Sequence, residues 1–184
     1  WNVAYLPIDP RDIGRRYEAV VRINSQSGKG GVALVLERDY NIELPKWMQI
    51  QLSIVVQAKV EKTGREISSK DIKALYENYF VKVDDEWNLK YYHLQHNQQQ
   101  VDAQFSVGNK SFKGRGAGVL EALCSALSDQ FRCDIQILQF DQHAIGSGSN
   151  AEAQSSIKVK VGGEPFFASA TSSDSSAAAL QALL

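Results

Sequence analysis

Apolar and polar residues alternate along several short stretches of the C-terminal half of the chain, and this alternation predicts β-strands. Apolar side chains take every second position in residues 101–107 and again in residues 157–161, which is the period of a strand with one buried face. Residues 89–96 and 134–140 provide one further predicted strand ahead of each of these.

Two stretches with helical spacing lie in the same half. Residues 119–131 carry apolar side chains three and four positions apart, and residues 175–184 combine leucines with a run of alanines. Spacing of this kind predicts helices whose apolar stripe covers a sheet. The small alanine side chains suggest close contact with a neighbouring helix or subunit.

The strands and helices form an internal repeat. The letters VGNKSF of residues 107–112 recur as VGGEPF in residues 161–166. In each copy a strand precedes this glycine turn, so the turn predicts a hairpin, and a second strand and a helix follow it. With the additional strand ahead, the pattern predicts a βββα unit that is present twice. Two such units side by side can build a layered α+β domain with quasi-twofold symmetry.

The N-terminal half has a different character. Residues 1–31 are rich in Pro and Gly and contain one strand-like alternating stretch, which predicts a connecting segment. Residues 32–36 form a short apolar run that predicts a strand, and residues 39–41 predict a turn. Residues 45–62 fit both a strand and a helix, and alternation alone favours the strand.

Residues 68–80 are clearer. A serine, Ser68 or Ser69, can serve as N-cap, and apolar residues follow at three- and four-residue spacing. This pattern predicts a helix.

Composition limits the classes of function. The 184 residues carry 20 Lys and Arg against 21 Asp and Glu, so we expect no positive surface for nucleic acid or anionic lipid. No apolar run approaches the about 18 residues of a membrane span. The two cysteines, Cys124 and Cys133, indicate buried thiols in a reducing cytoplasm. We therefore expect a soluble cytoplasmic protein without nucleic-acid or membrane partners. Because the chain begins at Trp1 and its one methionine is Met48, we also expect it to be a fragment.

Few candidate groups are spaced to do chemistry together. The SGKGG of residues 27–31 lacks the spacing of a phosphate loop. His93 and His96 lie three positions apart on a predicted strand, so their side chains face opposite ways and cannot share a metal. No nucleophile is spaced with a base. The sequence therefore predicts neither a catalytic nor a metal site in this chain.

Two loops are the best candidates for binding a ligand. Residues 114–118, GRGAG, lead into a predicted helix, and residues 144–153 follow a predicted strand. Glycine and alanine let a ligand approach the backbone, and a helix N-terminus offers N–H groups to a carboxylate. With Leu120, Ile137 and Phe140 nearby, such a site suits a small amphipathic acid, for instance an apolar amino acid. The alternative is that both are ordinary turns.

Longer motifs resemble a known family. YLPIDPRDIGR in residues 5–15, followed by RINSQSGKGG in residues 22–31, resembles the post-catalytic segment of the 2-isopropylmalate synthase family. The GRGAG motif, His143 with Gly146, and AEA in residues 151–153 are similar to the C-terminal regulatory domain of that family.

The resemblance implies an organisation for the whole chain. The expected fold class is α+β, with small α/β linker subdomains followed by a regulatory domain of two βββα units with quasi-twofold symmetry. Residues 1–31 would be a linker segment within subdomain I, residues 32–83 a helical linker subdomain II, and residues 84–184 the allosteric, leucine-binding and dimerisation domain. The family also implies a helix for residues 45–62, and we adopt the helix.

The resemblance further implies an activity, partners and a site. The family condenses acetyl-CoA with 2-oxoisovalerate in leucine biosynthesis, and leucine inhibits it by binding between βββα units at the dimer interface. Expected partners are leucine, a second copy in a homodimer and the catalytic barrel of the parent enzyme. By motif position, the leucine site of the family corresponds here to Leu120, Glu121, Ile137, Phe140, Ala144, Ala151 and Ala153.

The catalytic barrel of the family, with its His-x-His site for a divalent metal ion, is not in this sequence. The fragment is therefore expected to need no cofactor and to be inactive alone.

Two departures from the family pattern keep alternatives open. Ala117-Gly118-Val119 stands where the family has Gly-Asn-Gly-Pro. Near the C-terminus, Ala168-Ser169-Ala170 and Asp174-Ser175-Ser176 replace a Gly-x-Gly and an apolar residue. Hydroxyl groups in an apolar wall would weaken leucine binding or favour another effector. The alternatives are the regulatory part of a citramalate or homocitrate synthase, and a stand-alone small-molecule-binding module.

Overall fold

Helices come first along the chain and the βββα units follow. The computed structural model describes residues 29–97, 99–148 and 150–184. The predictions for residues 1–28, including the strand-like stretch, lie outside these ranges. The domain boundaries after residues 31 and 83 stay predictions.

The first three helices form what we call the helical unit. They are α1 (Lys29–Tyr40), α2 (Lys46–Thr63) and α3 (Ser69–Tyr76), and α3 continues into a π-helical turn at Glu77–Val81. Their shared core contains Leu36, Met48 and Ile72, all fully buried. Gly64, with φ of 62°, ends α2 by donating its N–H to the Val60 carbonyl. Such a left-handed glycine after the last turn is a common helix terminator.

A reciprocal cap starts α3. The Asp71 N–H donates to the Ser68 hydroxyl at 3.2 Å, and the Ser68 N–H donates to the Asp71 carboxylate at 3.2 Å. The Ser68 hydroxyl also donates to this carboxylate and holds the pKa of Asp71 below its usual value. This capping box confirms the predicted helix start.

Two sequence expectations for the helical unit have opposite outcomes. The strand predicted for residues 32–36 is wrong: the run lies in α1, where Val32, Val35 and Leu36 are buried against the other helices. A short apolar run fits either element, and here the three- and four-residue spacing decides. The helix adopted for residues 45–62 is confirmed, because α2 buries Met48 and Leu52 and exposes Ile50 between them.

The two βββα units have the predicted topology. The first contains β1 (Leu89–His96), β2 (Val101–Val107), β3 (Lys110–Gly116) and α4 (Val119–Phe131). The second contains β4 (Ile135–Ile145), β5 (Glu152–Val161), β6 (Glu164–Ser172) and α5 (Ser175–Leu183). Each unit has a three-stranded antiparallel sheet in sequence order. The predicted α+β class and both repeats are therefore confirmed.

The hairpin glycines show the repeat at atomic detail. Gly108 and Gly162 have φ of 54° and 58°. The Gly108 N–H donates to the Asn88 carbonyl at 2.9 Å, and the Gly162 N–H donates to the Asp134 carbonyl at 3.1 Å. Each acceptor lies just before the first strand of its unit, so both copies close their sheets with the same bond.

Each helix covers its own sheet and reaches into the other unit. The α4 helix packs on β2 and β3 and also contacts β4, whereas α5 packs on β5 and β6 and also contacts β1. Leu180 of α5 is part of the core of the first unit, and Leu120 of α4 packs against the core of the second. This exchange is the quasi-twofold arrangement that the repeat predicted.

The outer faces of the two sheets differ. In the first sheet Gln104 of β2 is exposed. In the second sheet Gln154, Ser156 and Ser169 are at most 2% exposed, because the helical unit packs there. The second sheet is thus covered by α5 on one face and by the helical unit on the other.

Cys124 and Cys133 are both free thiols, the first buried and the second half-buried, and burial raises the pKa of Cys124 to about 11. Among the described residues, no helix is both long and apolar enough to cross a bilayer.

Candidate functional site

A bulge in β4 gathers four of the predicted effector residues on one face of the second sheet. Ile137 pairs with Val159 and Gln139 pairs with Lys158, so Leu138 is an extra residue in the ladder. Ile137 and Phe140 are three positions apart and would face opposite ways in a regular strand. The bulge shifts the alternation, so that both lie on the face that carries α5.

The remaining pairs extend this face. Phe140 is opposite Ile157, and Ala144 is opposite Ala153, so these side chains point the same way as Ile137. We call the surface made by Ile137, Phe140, Ala144 and Ala153 the β4 face. It lies at the sheet edge, and Phe140 remains 42% exposed. One aromatic ring beside two alanines gives a shallow apolar floor.

Gln142 joins the β4 face to the start of α5. Its amide nitrogen donates to the Ser155 hydroxyl at 2.7 Å and to the Ser175 carbonyl at 2.8 Å. The bond to Ser175 fixes the start of α5 beside Phe140 and Ala144, and the bond to Ser155 joins β4 to β5.

Leu120 and Glu121 reach the second unit unequally. Leu120 and Ile137 both pack against the core of the second unit, so the structure brings these two predicted residues together. The Glu121 carboxylate, in the first turn of α4, accepts the N–H of Ala117, the residue before the N-cap Gly118, at 2.8 Å. A negative side chain at a helix N-terminus is stabilising.

The two candidate loops are shorter than predicted. Gly114 and Gly116 belong to β3, and Ala144 and Ala153 belong to β4 and β5. Ala151 lies in the turn between these strands, where its N–H donates to the Gly148 carbonyl at 3.3 Å.

The α4 helix covers both glycines of β3. A Cβ at Gly114 would lie 1.9 Å from the Ala122 carbonyl oxygen, and one at Gly116 would lie 2.6 Å from the Ala122 nitrogen. The glycines therefore admit the helix, and the idea that they admit a ligand is wrong.

Two of the polar residues that depart from the family pattern, Ser169 and Asp174, have other positions. Ser169 is buried on the face towards the helical unit and donates to the Ser155 carbonyl at 2.9 Å. Asp174 is the N-cap of α5 and accepts the Ser176 N–H at 2.9 Å. Neither lines the β4 face.

A link between the two units was missed from sequence. The Tyr92 hydroxyl on β1 donates to the Asp174 carboxylate. This hydrogen bond lowers the pKa of Asp174 and raises that of Tyr92. Asp before a small-residue run suggests an N-cap, but nothing in the sequence indicates its partner 82 residues away.

The opposite face of the second sheet holds polar groups that sequence reasoning also missed. The Gln154 amide nitrogen donates to the Glu43 carbonyl at 2.9 Å. The buried Tyr76 hydroxyl contacts Ser169, and burial raises the pKa of Tyr76. The rings of Trp47 and Phe167 lie 6.2 Å apart. These contacts hold the helical unit against the second sheet.

Two clefts of about 310 Å³ lie elsewhere. One lies between α2 and α3, beside Lys59 and Asp71, and the other lies between the π-helical turn and β6, beside Phe80 and Phe166. Neither is lined by the predicted effector residues. Within the described ranges, no group of three or more His, Cys, Asp or Glu side chains is placed to hold a metal ion.

Comparison with known proteins identifies the family. Residues 66–184 match the profile of the LeuA allosteric (dimerisation) domain. The chain belongs to the LeuA allosteric domain family. Residues 1–37 match the alpha-isopropylmalate synthase, post-catalytic domain-like family. The resemblance drawn from the sequence motifs is therefore confirmed.

The chain is also similar to longer curated proteins. The chain is 44% identical over 189 residues to 2-isopropylmalate synthase of Alcanivorax borkumensis, with 100% of this chain and 34% of that protein covered. It is 42% identical over 171 residues to the protein of the same name from Pseudomonas fluorescens strain SBW25, with 89% and 30% covered. For the Azotobacter vinelandii protein the identity is 42% over 168 residues, with 89% and 29% covered. The chain thus spans about a third of the length of these relatives.

Proposed function

We propose that this chain is the linker and regulatory part of a 2-isopropylmalate synthase and binds leucine as a feedback inhibitor. The parent enzyme would condense acetyl-CoA with 2-oxoisovalerate. The observation that carries the proposal is the LeuA domain match over residues 66–184, together with whole-chain similarity to a 2-isopropylmalate synthase. The reacting groups and the divalent metal ion would belong to the catalytic barrel, so the chain alone would be inactive.

The β4 face supports leucine as the ligand. A branched aliphatic side chain can pack on the exposed Phe140 ring and reach the floor at Ala144 and Ala153, because alanine leaves room above the sheet. A larger residue at either alanine would fill that space. Gly146 and Gly148 at the end of β4 have nothing within 4 Å of an added Cβ, so the adjoining backbone is open to a ligand.

A second copy of the chain would complete this site. The β4 face is a shallow surface at a sheet edge, and Phe140 keeps 42% of its surface exposed. A small ligand gains most of its affinity when the protein buries most of its surface. We therefore propose a homodimer in which leucine lies between the β4 face and the partner.

Calorimetric titration with leucine, isoleucine and valine tests the proposal. We expect heat for leucine with the wild-type chain and none with Ala153→Glu, because the carboxylate would occupy the apolar floor. The matched control is Ser111→Glu, which places the same side chain at an exposed strand position of the first sheet and should leave the titration unchanged. A folded dimer that gives no heat with any of the three amino acids would contradict the effector-site proposal.

A further inference from the structure

The two faces of the second sheet belong to different parts of the molecule. The β4 face lies on the side that carries α5, whereas Gln154, Ser156 and Ser169 lie on the side of the helical unit. The sheet between them is a single layer of three strands. A displacement of β4 or β5 caused on one face therefore acts on the other face without any intervening element.

Gln154 makes the polar bond from this sheet to the chain between α1 and α2. Its side chain is 0% exposed, and its amide nitrogen donates to the Glu43 carbonyl at 2.9 Å across 111 residues of sequence. Glu43 lies in the short connection between Tyr40, where α1 ends, and Lys46, where α2 begins. The bond is part-buried, because Gln154 is fully buried and Glu43 is exposed, and its loss would release the connection from the sheet.

The residue that faces Gln154 across the β4–β5 ladder is His143. His143 is directly opposite Gln154, and its Nδ1 lies 3.5 Å from the Asp141 carboxylate. Within the described part of the chain, His143 Nε2 and Gln154 Oε1 are both buried without a hydrogen-bond partner. They lie on a cross-strand pair, and an N–H on His143 Nε2 is the donor that Gln154 Oε1 can accept. A small shift of β4 against β5 can make or break that bond.

The alanines of the β4 face are adjacent in sequence to His143 and Gln154. Ala144 and Ala153 form the cross-strand pair directly after His143 and Gln154, on the opposite face of the same two strands. A bulky group that presses on these alanines pushes on the backbone that carries Gln154, because the two pairs are adjacent on the same two strands.

We propose that Gln154 is a positioning residue, which ties the α1–α2 connection to the β4–β5 ladder and moves it when the β4 face is displaced. The regulatory meaning of this link rests on the proposed function, since it would carry an effector signal from the regulatory domain to the linker. The mechanical link itself does not require a ligand. Packing of Trp47 on Phe167 holds the helical unit nearby, and the Gln154 bond fixes its connecting segment.

Amide hydrogen exchange in the full chain tests the link without a ligand. In Gln154→Met the amides of Asn41 and Ile42, which donate to the Glu37 and Leu36 carbonyls, should exchange about tenfold faster, since the side-chain bond that fixes this connection is lost. Gln139→Met is the matched control, because Gln139 is an exposed residue on the same sheet face, and its rates should stay at wild-type values. Slow exchange retained in β5 and β6 shows that the sheet stays folded. Gln154→Asn, one methylene too short to reach Glu43, should act like Gln154→Met.

A double-mutant cycle tests the transmission. Ala153→Val should change the amide exchange of Asn41 and Ile42 when Gln154 is present and leave it unchanged in the Gln154→Met background. Equal effects of Ala153→Val in both backgrounds, or wild-type rates in both Gln154 variants, would overturn the proposal.

Measurements of leucine binding and inhibition distinguish a failure of this inference from a failure of the proposed function. In the intact parent enzyme, Gln154→Met should bind leucine with unchanged heat and lose inhibition by it, and inhibition that persists at wild-type strength overturns the link. If leucine gives no heat with the wild-type protein, the proposed function fails. The ligand-free cycle then still decides whether Gln154 couples the two faces.

Discussion

Close approach of α4 to β3 sets the requirement for Gly114 and Gly116. Their neighbours are backbone atoms of Ala122, which cannot rotate away as a side chain could. The same spacing in β6 is filled by Ala168 and Ala170, so α5 lies over methyl groups where α4 lies over bare backbone. Each small residue is thus explained by the helix above it.

Substituting Gly114 tests this explanation. Gly114→Ala should lower the free energy of unfolding by about 2–4 kcal/mol, because the new methyl group would overlap the Ala122 carbonyl. Gly118→Ala is the control: a Cβ there meets nothing within 4 Å, and we expect a loss of at most about 1 kcal/mol, because Gly118 is the N-cap of α4 and alanine is a poorer N-cap than glycine. Urea unfolding of both variants measures the difference. Equal losses would argue against close packing as the reason for Gly114.

The bond between Tyr92 and Asp174 predicts a dependence of stability on pH. Its effect on Asp174 is a lowered pKa, so this contribution is present above the unfolded pKa of about 4 and is lost as pH falls through the folded value. Its effect on Tyr92 is a raised pKa, so that contribution is present below about pH 10 and is lost as pH rises through the folded value.

Tyr92→Phe should therefore destabilise the protein mainly between about pH 5 and 9. We expect a loss below about 1 kcal/mol, because Asp174 is exposed and Tyr92 is only half-buried. Unfolding curves of wild type and Tyr92→Phe across this range measure the difference. A difference that stays constant from pH 3 to 11 would contradict an ionic origin.

At the scale of elements, the sequence was most informative where a pattern repeats. Both βββα units follow from two glycine turns with the same surroundings, because local alternation and turn chemistry act within a few residues. The α1 run at residues 32–36 was mistaken for a strand since five apolar residues fit both periods. The bulge at Leu138 has no local signal, because register depends on the facing strand. Motif positions predicted which residues belong to the candidate site. They did not predict that Ile137, Phe140, Ala144 and Ala153 share one sheet face, because that depends on the bulge.

Deleting Leu138 should be tolerated. Removing the one unpaired residue leaves the pairs on either side of it in register and keeps Phe140 opposite Ile157. The free energy of unfolding should fall by at most about 1 kcal/mol. Deleting Asp141 is the contrasting variant, because it turns Gln142, His143 and Ala144 to the wrong faces. It should prevent folding or cost several times more in urea unfolding. Similar costs for both deletions would argue against the bulge.

The whole molecule is held together by the second sheet, which contacts α5 and the helical unit on opposite faces. Neighbouring phenylalanines of β6 mark the two sides. Phe167 packs on Trp47, and Phe166 points the other way and is 55% exposed. The described contacts between the helical unit and the regulatory part therefore lie on one face of this sheet. A single substitution on that face can weaken them selectively.

Phe167→Ala should loosen the helical unit. We expect a loss of about 2–3 kcal/mol in unfolding free energy and a changed Trp47 emission, since a core ring contact is removed. Phe166→Ala, one residue away, should cost clearly less and leave the emission of Trp47 unchanged. Fluorescence-monitored unfolding gives both quantities. Identical behaviour of the two variants would show that the helical unit does not depend on this face.

Burial of one outer sheet face and exposure of the other gives the duplicated units unequal tolerance to mutation. Gln104 on the first sheet lies at a solvent-facing position, whereas Ser156 on the second is 1% exposed and Ser169 2%. In a saturation library the first copy should accept most polar and many apolar residues on its outer face. The second should accept little beyond small hydroxyl or alanine side chains at Ser156 and Ser169. The two βββα units would then accumulate substitutions at different rates, because, among the described residues, the helical unit packs on the outer face of the second sheet and not on that of the first.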